Sequence, residues 1–218
     1  SDTVLSFLLG VIQGLTEFLP ISSSAHLLLP SLLFGFNDLG LSFDIAVHAG
    51  TLIAVIYYFR KEIALMFKSF LLTDVNLLPH RNLAISLIVA TIPIVIAGLF
   101  VKDLIEQRIF NVEHIAIANI IFAGILLFAY LKRKDIKNLY SVTLYSALFV
   151  GVFHSLALFP GASRSGNAIT AALLLGFNLK DASKFSFMLS IPTIFGALVL
   201  LIIEMQSTLE AFNYMNLI

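Results

Sequence analysis

The hydrophobic positions of this chain are gathered into long apolar runs rather than into an alternating or amphipathic pattern. A helix needs about 20 largely apolar residues to cross a bilayer. Two regions, 3–36 and 140–178, are apolar but are each interrupted near the middle by proline and polar residues. Four other runs predict membrane-spanning helices, and they cover 43–59, 82–101, 115–131 and 185–203.

The two interruptions carry polar motifs inside apolar surroundings. The first is PISSS at Pro20–Ser24, and the second is PGASRSGN at Pro160–Asn167. Irregular backbone at membrane depth is tolerated only where protein or a water-filled cavity satisfies its polar groups. We therefore predict that each interrupted region is a re-entrant hairpin, with two helical arms around a polar elbow.

The two interrupted regions are repeats of one another. Residues 10–37 align on 151–178 without a gap, and eleven of the 28 positions are identical. Three predicted spans separate the hairpins, so the repeats are predicted to be inverted, with elbows that meet inside the membrane. We expect one membrane domain over 1–218, in which repeat 1 covers approximately 1–101 and repeat 2 approximately 140–218.

Composition supports an all-α integral membrane protein. The chain is 59% hydrophobic and 12% charged, whereas soluble domains have roughly 25% charged residues. A net charge of zero argues against nucleic acid as a partner, and the absence of cysteine excludes disulfides and cysteine metal sites. The start of the chain lacks a basic segment, so no cleavable signal peptide is expected.

Basic residues predict the orientation, because loops rich in lysine and arginine stay on the cytoplasmic side. With both interrupted regions as hairpins, only Lys102 and Arg108 lie on one side of the membrane. Ten basic residues lie on the other side, which is therefore predicted to be cytoplasmic: Arg60, Lys61, Lys68, Arg81, Lys132, Arg133, Lys134, Lys137, Lys180 and Lys184.

The first elbow contains a candidate acid–base centre. Gln13 and Glu17 are four residues apart and share one face of a helix. A charged carboxylate at membrane depth costs at least about 2.5 kcal/mol, so it indicates either function or a helix-packing hydrogen bond. Further polar side chains favour function, and they crowd the same elbow: Ser22, Ser23, Ser24 and His26.

The second elbow supplies a cation, Arg164, between Ser163 and Ser165. The planar guanidinium suits phosphate oxygens, and a glycine-containing turn that opens a helix directs N–H groups at an anion. A structural ion pair with Glu17 is the alternative. Carboxylate, hydroxyls, imidazole and arginine together favour phosphoryl transfer. A lipid or solute carrier is the runner-up, because inverted repeats with broken helices are also typical of transporters.

Two motifs carry a resemblance to a known family. QGLTEFLPISSSAHL and LALFPGASRSG resemble the signature motifs of the undecaprenyl-pyrophosphate phosphatases, the bacitracin-resistance membrane enzymes, and FDIAVHAGTLIAVIYYFRKEI resembles an intervening helix. The resemblance implies removal of the terminal phosphate of a C55 polyprenyl pyrophosphate with a divalent cation, Mg or Ca. It also implies a bacterial cytoplasmic membrane, with the active site open to the outer side. Whether the protein is a homodimer is left open.

The resemblance assigns residues to roles. Gln13 and Glu17 fit a motif in which three residues separate a glutamate or glutamine from a glutamate, and both are implied cation ligands. The implied catalytic residues are Glu17, Ser23, His26 and Arg164, and the implied substrate-binding residues are Gln13, Ser22, Ser24, Ser163, Ser165, Gly166, Asn167 and Thr170.

This sequence departs from the family pattern at three places. Ala25 stands where the family usually has glycine, and Ala168 stands where it has threonine, with Thr170 two positions later. The family usually continues with about two further membrane helices, whereas this sequence ends at Ile218.

We predict that Ser23 attacks the terminal phosphorus with help from Glu17, and that His26 protonates the leaving lipid phosphate or activates water. Attack by His26 itself is the rival. His48 and His154 are each left open between a buried structural residue and one that lines the site.

Overall fold

The computed structural model describes residues 2–106 and 111–215, and within these ranges every regular element longer than three residues is an α-helix. The predicted all-α class is therefore confirmed. Short 3₁₀ turns lie at Val75–Leu77, Leu139–Ser141 and Leu156–Leu158. The helices are α1 Asp2–Thr16, α2 Ser23–Phe34, α3 Gly40–Tyr58, α4 Arg60–Leu71, α5 Leu78–Glu106, α6 Val112–Lys132, α7 Leu144–Ser155, α8 Arg164–Leu174 and α9 Leu179–Met215.

Three of the four predicted spans are confirmed by helices of sufficient length and apolarity in α5, α6 and α9. Their apolar stretches are Val75–Val101, Val112–Lys132 and Leu179–Ile203. The span predicted at 43–59 lies in α3, which a bend of 73° separates from α4. Within residues 2–106 and 111–215 the bundle therefore contains three continuous candidate spans and one bent pair of helices, α3 with α4.

The segment 60–81, which follows the predicted span 43–59, is mostly helical, because it contains α4 and the start of α5. Lys61 and Lys68 share α4 with the exposed apolar side chains of Phe67 and Phe70. A helix with this mixture is typical of the membrane surface, where apolar groups enter the lipid and ammonium groups stay in water. Residues 179–184, which precede the predicted span 185–203, form the first turns of α9.

The two interrupted regions form helical hairpins with matching ends. In each hairpin the two arms pack against one another, α1 on α2 and α7 on α8. The second arms begin at capping serines, Ser22 and Ser163, and are followed by Gly35 and Gly176, both with positive φ. Each pair is 141 residues apart, the offset of the sequence alignment. The duplication is therefore structural, while inversion of the repeats and the limits of each repeat stay predictions.

The second hairpin lies at the centre of the bundle. Nine consecutive residues of α8, Ser165–Leu173, are buried, and the helix packs against α6, α7 and α9. Close backbone contacts fix its position: a Cβ on Gly151 would lie 2.5 Å from the carbonyl oxygen of Ala90, and one on Gly161 would overlap the carbonyl oxygen of Ile115. Small residues let the backbones of neighbouring helices approach closely. Such packing matters in a bilayer, because apolar burial alone does not drive helices together there. The second elbow is thus held rigidly.

Candidate functional site

The two elbows meet inside the bundle, as the sequence predicts. Arg164 Nη2 donates a hydrogen bond to Glu17 Oε1 at 2.6 Å. The hydroxyl of Ser165 donates to the carbonyl oxygen of Leu19 at 3.0 Å. Gly166 permits the contact, because a Cβ there would lie 3.3 Å from the Cβ of Pro20. The ion pair between Arg164 and Glu17, which the sequence left as the alternative, is thus present in the structure.

Glu17 is 6% exposed and is surrounded by donors. Its Oε2 accepts from Gln13 Nε2 at 2.8 Å and from the Ser23 hydroxyl at 2.6 Å. The i, i+4 spacing on α1 places Gln13 next to Glu17. Ser23 reaches the same carboxylate from the first residue of α2. A carboxylate with donors on both oxygens is held in its ionised form. Ser23 therefore has a proton acceptor already in place.

His48 on α3 is a site residue that the sequence left open. Its Nε2 lies 3.3 Å from Glu17 Oε2, and the side chain is buried. Its Nδ1 donates to the carbonyl oxygen of Asp44, which orients the ring. A histidine inside a predicted span was the only sequence signal, and a buried structural histidine produces the same signal. The contact identifies His48 as part of the environment of Glu17.

His26 lies in the first turn of α2 and is oriented by the strained residue before the helix. Ser22 has a φ of 61°. Residues other than glycine rarely adopt this backbone conformation outside functional or constrained sites. The carbonyl oxygen of Ser22 lies 2.8 Å from His26 Nδ1. A carbonyl only accepts, so Nδ1 carries the proton and Nε2 of the neutral ring is an acceptor. Ser24, on the same turn, is exposed.

The PGASRSGN segment is partly helical, because α8 begins at Arg164. The Ser163 hydroxyl accepts from the Gly166 N–H at 3.0 Å and lies 3.1 Å from the Ser165 hydroxyl. The Gly166 N–H is therefore occupied in this state. Arg164 is the accessible donor, since 24% of its side chain is exposed and Nη2 is its bonded nitrogen among the described contacts.

Further along α8, the predicted substrate-binding residues are buried. Thr170 donates its hydroxyl to the carbonyl oxygen of Gly166 at 2.7 Å, a bond that threonine commonly makes within a helix. Asn167 Nδ2 is buried and has no hydrogen-bond partner among the described residues. Ala168 packs in the main hydrophobic core. Substrate contacts by Asn167 and Thr170 stay predictions.

A divalent cation has two candidate ligands here. Gln13 donates through Nε2, so its Oε1 points elsewhere, buried and without a partner in the described part of the chain. An amide oxygen beside a carboxylate matches the hard oxygen ligands of Mg²⁺ and Ca²⁺. In the same part of the chain no group of three histidine, aspartate or glutamate side chains is placed to hold a metal. Gln13 and Glu17 fit a cation that takes its other ligands from substrate phosphates and water.

A small cavity beside the ion pair brings in His154, which the sequence left open, and residues of α9 that the sequence did not single out. It is lined on one side by Glu17, Phe18, Arg164 and Ser165. The residues of the opposite wall belong to α7 and α9, and they are His154, Ser186, Ser190 and Thr193. Serine and threonine at helical spacing within an apolar span are common packing residues, so no local pattern marks α9 as part of the site.

We expect the Glu17–Arg164 pair to be energetically coupled. Glu17→Gln and Arg164→Gln should each lower the free energy of unfolding by about 1–3 kcal/mol, because each leaves a buried polar partner unmatched. The loss of unfolding free energy in the double variant should be smaller than the sum of the two single losses, by at least about 1 kcal/mol. Unfolding in mixed detergent micelles measures all three.

Arg133→Gln is the matched control, because the ion pair of Arg133 with Asp135 is partly exposed, and it should change stability by less than about 1 kcal/mol. Additive losses for Glu17 and Arg164 would contradict the coupling.

Comparison with known proteins identifies the family. The family model described as bacitracin resistance protein BacA matches residues 6–217. An undecaprenyl-diphosphatase of Saccharophagus degradans is 48% identical over 194 residues, which cover 88% of this chain and 73% of the relative. Undecaprenyl-diphosphatase 1 of Pseudoalteromonas translucida is 48% identical over 190 residues, or 85% of this chain and 71% of the relative. With its two elbows joined through Glu17 and Arg164, this chain belongs to the bacitracin resistance protein BacA family.

Proposed function

We propose that the protein is a membrane phosphatase that hydrolyses undecaprenyl pyrophosphate to undecaprenyl phosphate and inorganic phosphate. The observation that carries the proposal is the Ser23 hydroxyl, which donates to Glu17 Oε2 at 2.6 Å. A serine hydroxyl is a weak nucleophile until an adjacent base takes its proton. The arginine that binds the same carboxylate is the donor best suited to phosphate oxygens. Both relatives are named as undecaprenyl-diphosphatases.

In the first step Ser23 Oγ forms a bond to the terminal phosphorus, and the bond from that phosphorus to the bridging oxygen breaks. Glu17 takes the serine proton and passes it to the bridging oxygen, which leaves on the lipid monophosphate. The free N–H groups of Arg164 stabilise the charge that develops on the terminal phosphoryl oxygens.

In the second step water attacks the phosphoserine. The water oxygen bonds to phosphorus, the bond to Ser23 Oγ breaks, and Glu17 transfers one water proton to Ser23 Oγ. Inorganic phosphate leaves with the other proton. His26 is the rival nucleophile, since its neutral Nε2 has a free lone pair.

A divalent cation is part of this proposal. Gln13 Oε1 and a carboxylate oxygen of Glu17 would hold it, together with substrate oxygens. Such an ion, when bound, neutralises charge on the pyrophosphate. Ser163 and Ser165 stabilise the second elbow. Their hydroxyls contact one another, and Ser165 donates to the carbonyl oxygen of Leu19.

The carrier alternative has no specific support, because moving a lipid headgroup does not require a hydroxyl placed on a buried carboxylate. We further propose the bacterial cytoplasmic membrane as the location, with the elbows open to the outer side. A homodimer stays a prediction.

Purified protein should release phosphate from farnesyl and undecaprenyl pyrophosphates, and EDTA should remove most of the rate if a cation completes the site. Addition of Mg²⁺ or Ca²⁺ should restore it. The Glu113→Gln variant, changed in the first turn of α6, serves as a control and should keep full activity. Lipid transfer between vesicles without phosphate release would contradict hydrolysis and support the carrier.

The nucleophile can be identified by trapping the phosphoenzyme from substrate labelled in the terminal phosphate. We expect label that survives acid in the wild type and is absent from Ser23→Ala, because phosphoserine is stable in acid. A label in Ser23→Ala that is lost in acid but kept in alkali would assign the attack to His26.

Orientation is checked with single cysteines, since the chain has none of its own. Glu113→Cys and Lys134→Cys place thiols at exposed positions at the two ends of α6. An impermeant maleimide should label position 113 on intact cells and position 134 only after permeabilisation, as the ten-to-two bias of basic residues predicts. The reverse pattern would overturn the orientation.

A further inference from the structure

The cavity beside Glu17 and Arg164 has a wall that the proposed chemistry does not yet use. Ser186, Ser190 and Thr193 line it from α9, and their spacings of four and three residues place them on one helix face. His154 lines it from α7. The cavity has room for about one water molecule, and a buried water needs two to four polar partners.

The hydroxyls of this wall have already used their protons. Ser190 donates to the carbonyl oxygen of Phe187 at 2.6 Å, and Thr193 donates to that of Leu189 at 2.8 Å. Ser186 donates to the carbonyl oxygen of Ser165 at 3.2 Å. A hydroxyl has one proton and two lone pairs, so these groups present only acceptors to the cavity. An anion needs hydrogen-bond donors, so it does not match a wall of acceptors. A water molecule matches this wall, because it has two protons to donate.

His154 provides the polar group that requires a partner. The residue is 3% exposed, and its Nδ1 is buried with no hydrogen-bond partner among the described residues. A buried polar atom without a partner costs about 1–3 kcal/mol, and ordered water commonly satisfies such atoms. In the other repeat the equivalent position is Gln13, since 154 minus 141 is 13, and Gln13 Oε1 is also buried without a partner. Both repeats thus leave a buried polar atom without a partner at the same position, among the residues that the structure describes.

We propose that His154, Ser190 and Thr193 hold the water molecule that attacks the phosphoenzyme, and that His154 is a positioning residue for hydrolysis. The inference rests on the proposed phosphatase function. The water lies next to Glu17, which takes one proton and passes it to the departing Ser23 oxygen while the water oxygen bonds to phosphorus. His154 orients the water by donating an Nδ1 hydrogen to the water oxygen, and the α9 hydroxyls accept a hydrogen bond from the second water proton.

The test measures how the phosphoryl group is divided between water and a small alcohol. Farnesyl pyrophosphate is supplied with a fixed concentration of methanol, and phosphorus NMR separates inorganic phosphate from methyl phosphate. In His154→Leu, kcat for inorganic phosphate should fall roughly tenfold, the effect of one lost hydrogen bond of about 1.4 kcal/mol. KM should change less than about threefold, and the methyl phosphate share should rise, because methanol does not depend on the held water.

Conservative and control variants separate positioning from structure. His154→Gln should restore most of the rate and the wild-type product ratio, since an amide can replace the ring nitrogen as Gln13 does in the other repeat. Ser190→Ala combined with Thr193→Val should also raise the methyl phosphate share. If His154→Leu does not fold, this double variant tests whether the cavity holds the attacking water. His80→Leu is the matched control: its Nδ1 is also buried without a partner among the described residues, but the ring packs on Tyr140 away from the site. It should leave rate and ratio unchanged.

A wild-type product ratio in folded His154→Leu, or a fall in kcat with an unchanged ratio, would overturn the inference alone. Absence of phosphate release by the wild-type protein would instead overturn the proposed function and the inference with it.

Discussion

Glu17 is a carboxylate buried among apolar helices, and an ionised group in such surroundings is strongly destabilising unless donors surround it. No single helix can supply enough of them. The carboxylate therefore makes α1, α2, α3 and α8 depend on one another, and it links the two hairpins across 147 residues of sequence. The arrangement that stabilises the ion is also the one that activates a hydroxyl and places an arginine beside it. The donors are Gln13, Ser23 and Arg164, and His48 Nε2 lies 3.3 Å from the same carboxylate.

The duplicated hairpins share two packed arms and a capping serine, but their elbows have different side-chain chemistry. At the offset of 141 residues, Ser23 corresponds to Arg164, and Glu17 corresponds to Leu158. One repeat supplies the carboxylate and the hydroxyl, and the other supplies the cation. Identical elbows would place like charges against one another, which is unfavourable in a medium of low dielectric. Divergence of the two elbows gives an electrostatically balanced site, while the conserved caps at Ser22 and Ser163 keep the two second arms aligned.

Hydroxyl groups at the second elbow have a structural role before any substrate binds. Ser165 joins the elbows through Leu19, Ser163 caps α8, and Thr170 bonds within the helix. The resemblance to the phosphatase family assigns these residues to substrate. In the ligand-free protein their protons are directed at the protein itself, which leaves Arg164 as the partly exposed donor. Phosphate binding at this site therefore depends first on the guanidinium, and on the hydroxyls only if they exchange partners.

The sequence by itself determined the helical class, three continuous spans, both interrupted regions and the meeting of the elbows. These features follow from local composition and from a gapless repeat, and each is encoded in contiguous residues. It also identified Glu17, Ser23 and Arg164, because a charged or polar residue at membrane depth is costly enough to be informative. The helix after the bend, α4, was missed, because the charged residues Arg60, Lys61 and Glu62 end the apolar run and give no local sign of a second helix.

Only the tertiary structure decided that His48 reaches Glu17 and that α9 presents hydroxyls beside His154. These contacts join segments far apart in the chain. In an apolar span, a buried histidine or a serine in a packing seam has the same local sequence signal as a residue of the site. The distance between two side chains on different helices is set by packing, and no local pattern contains it.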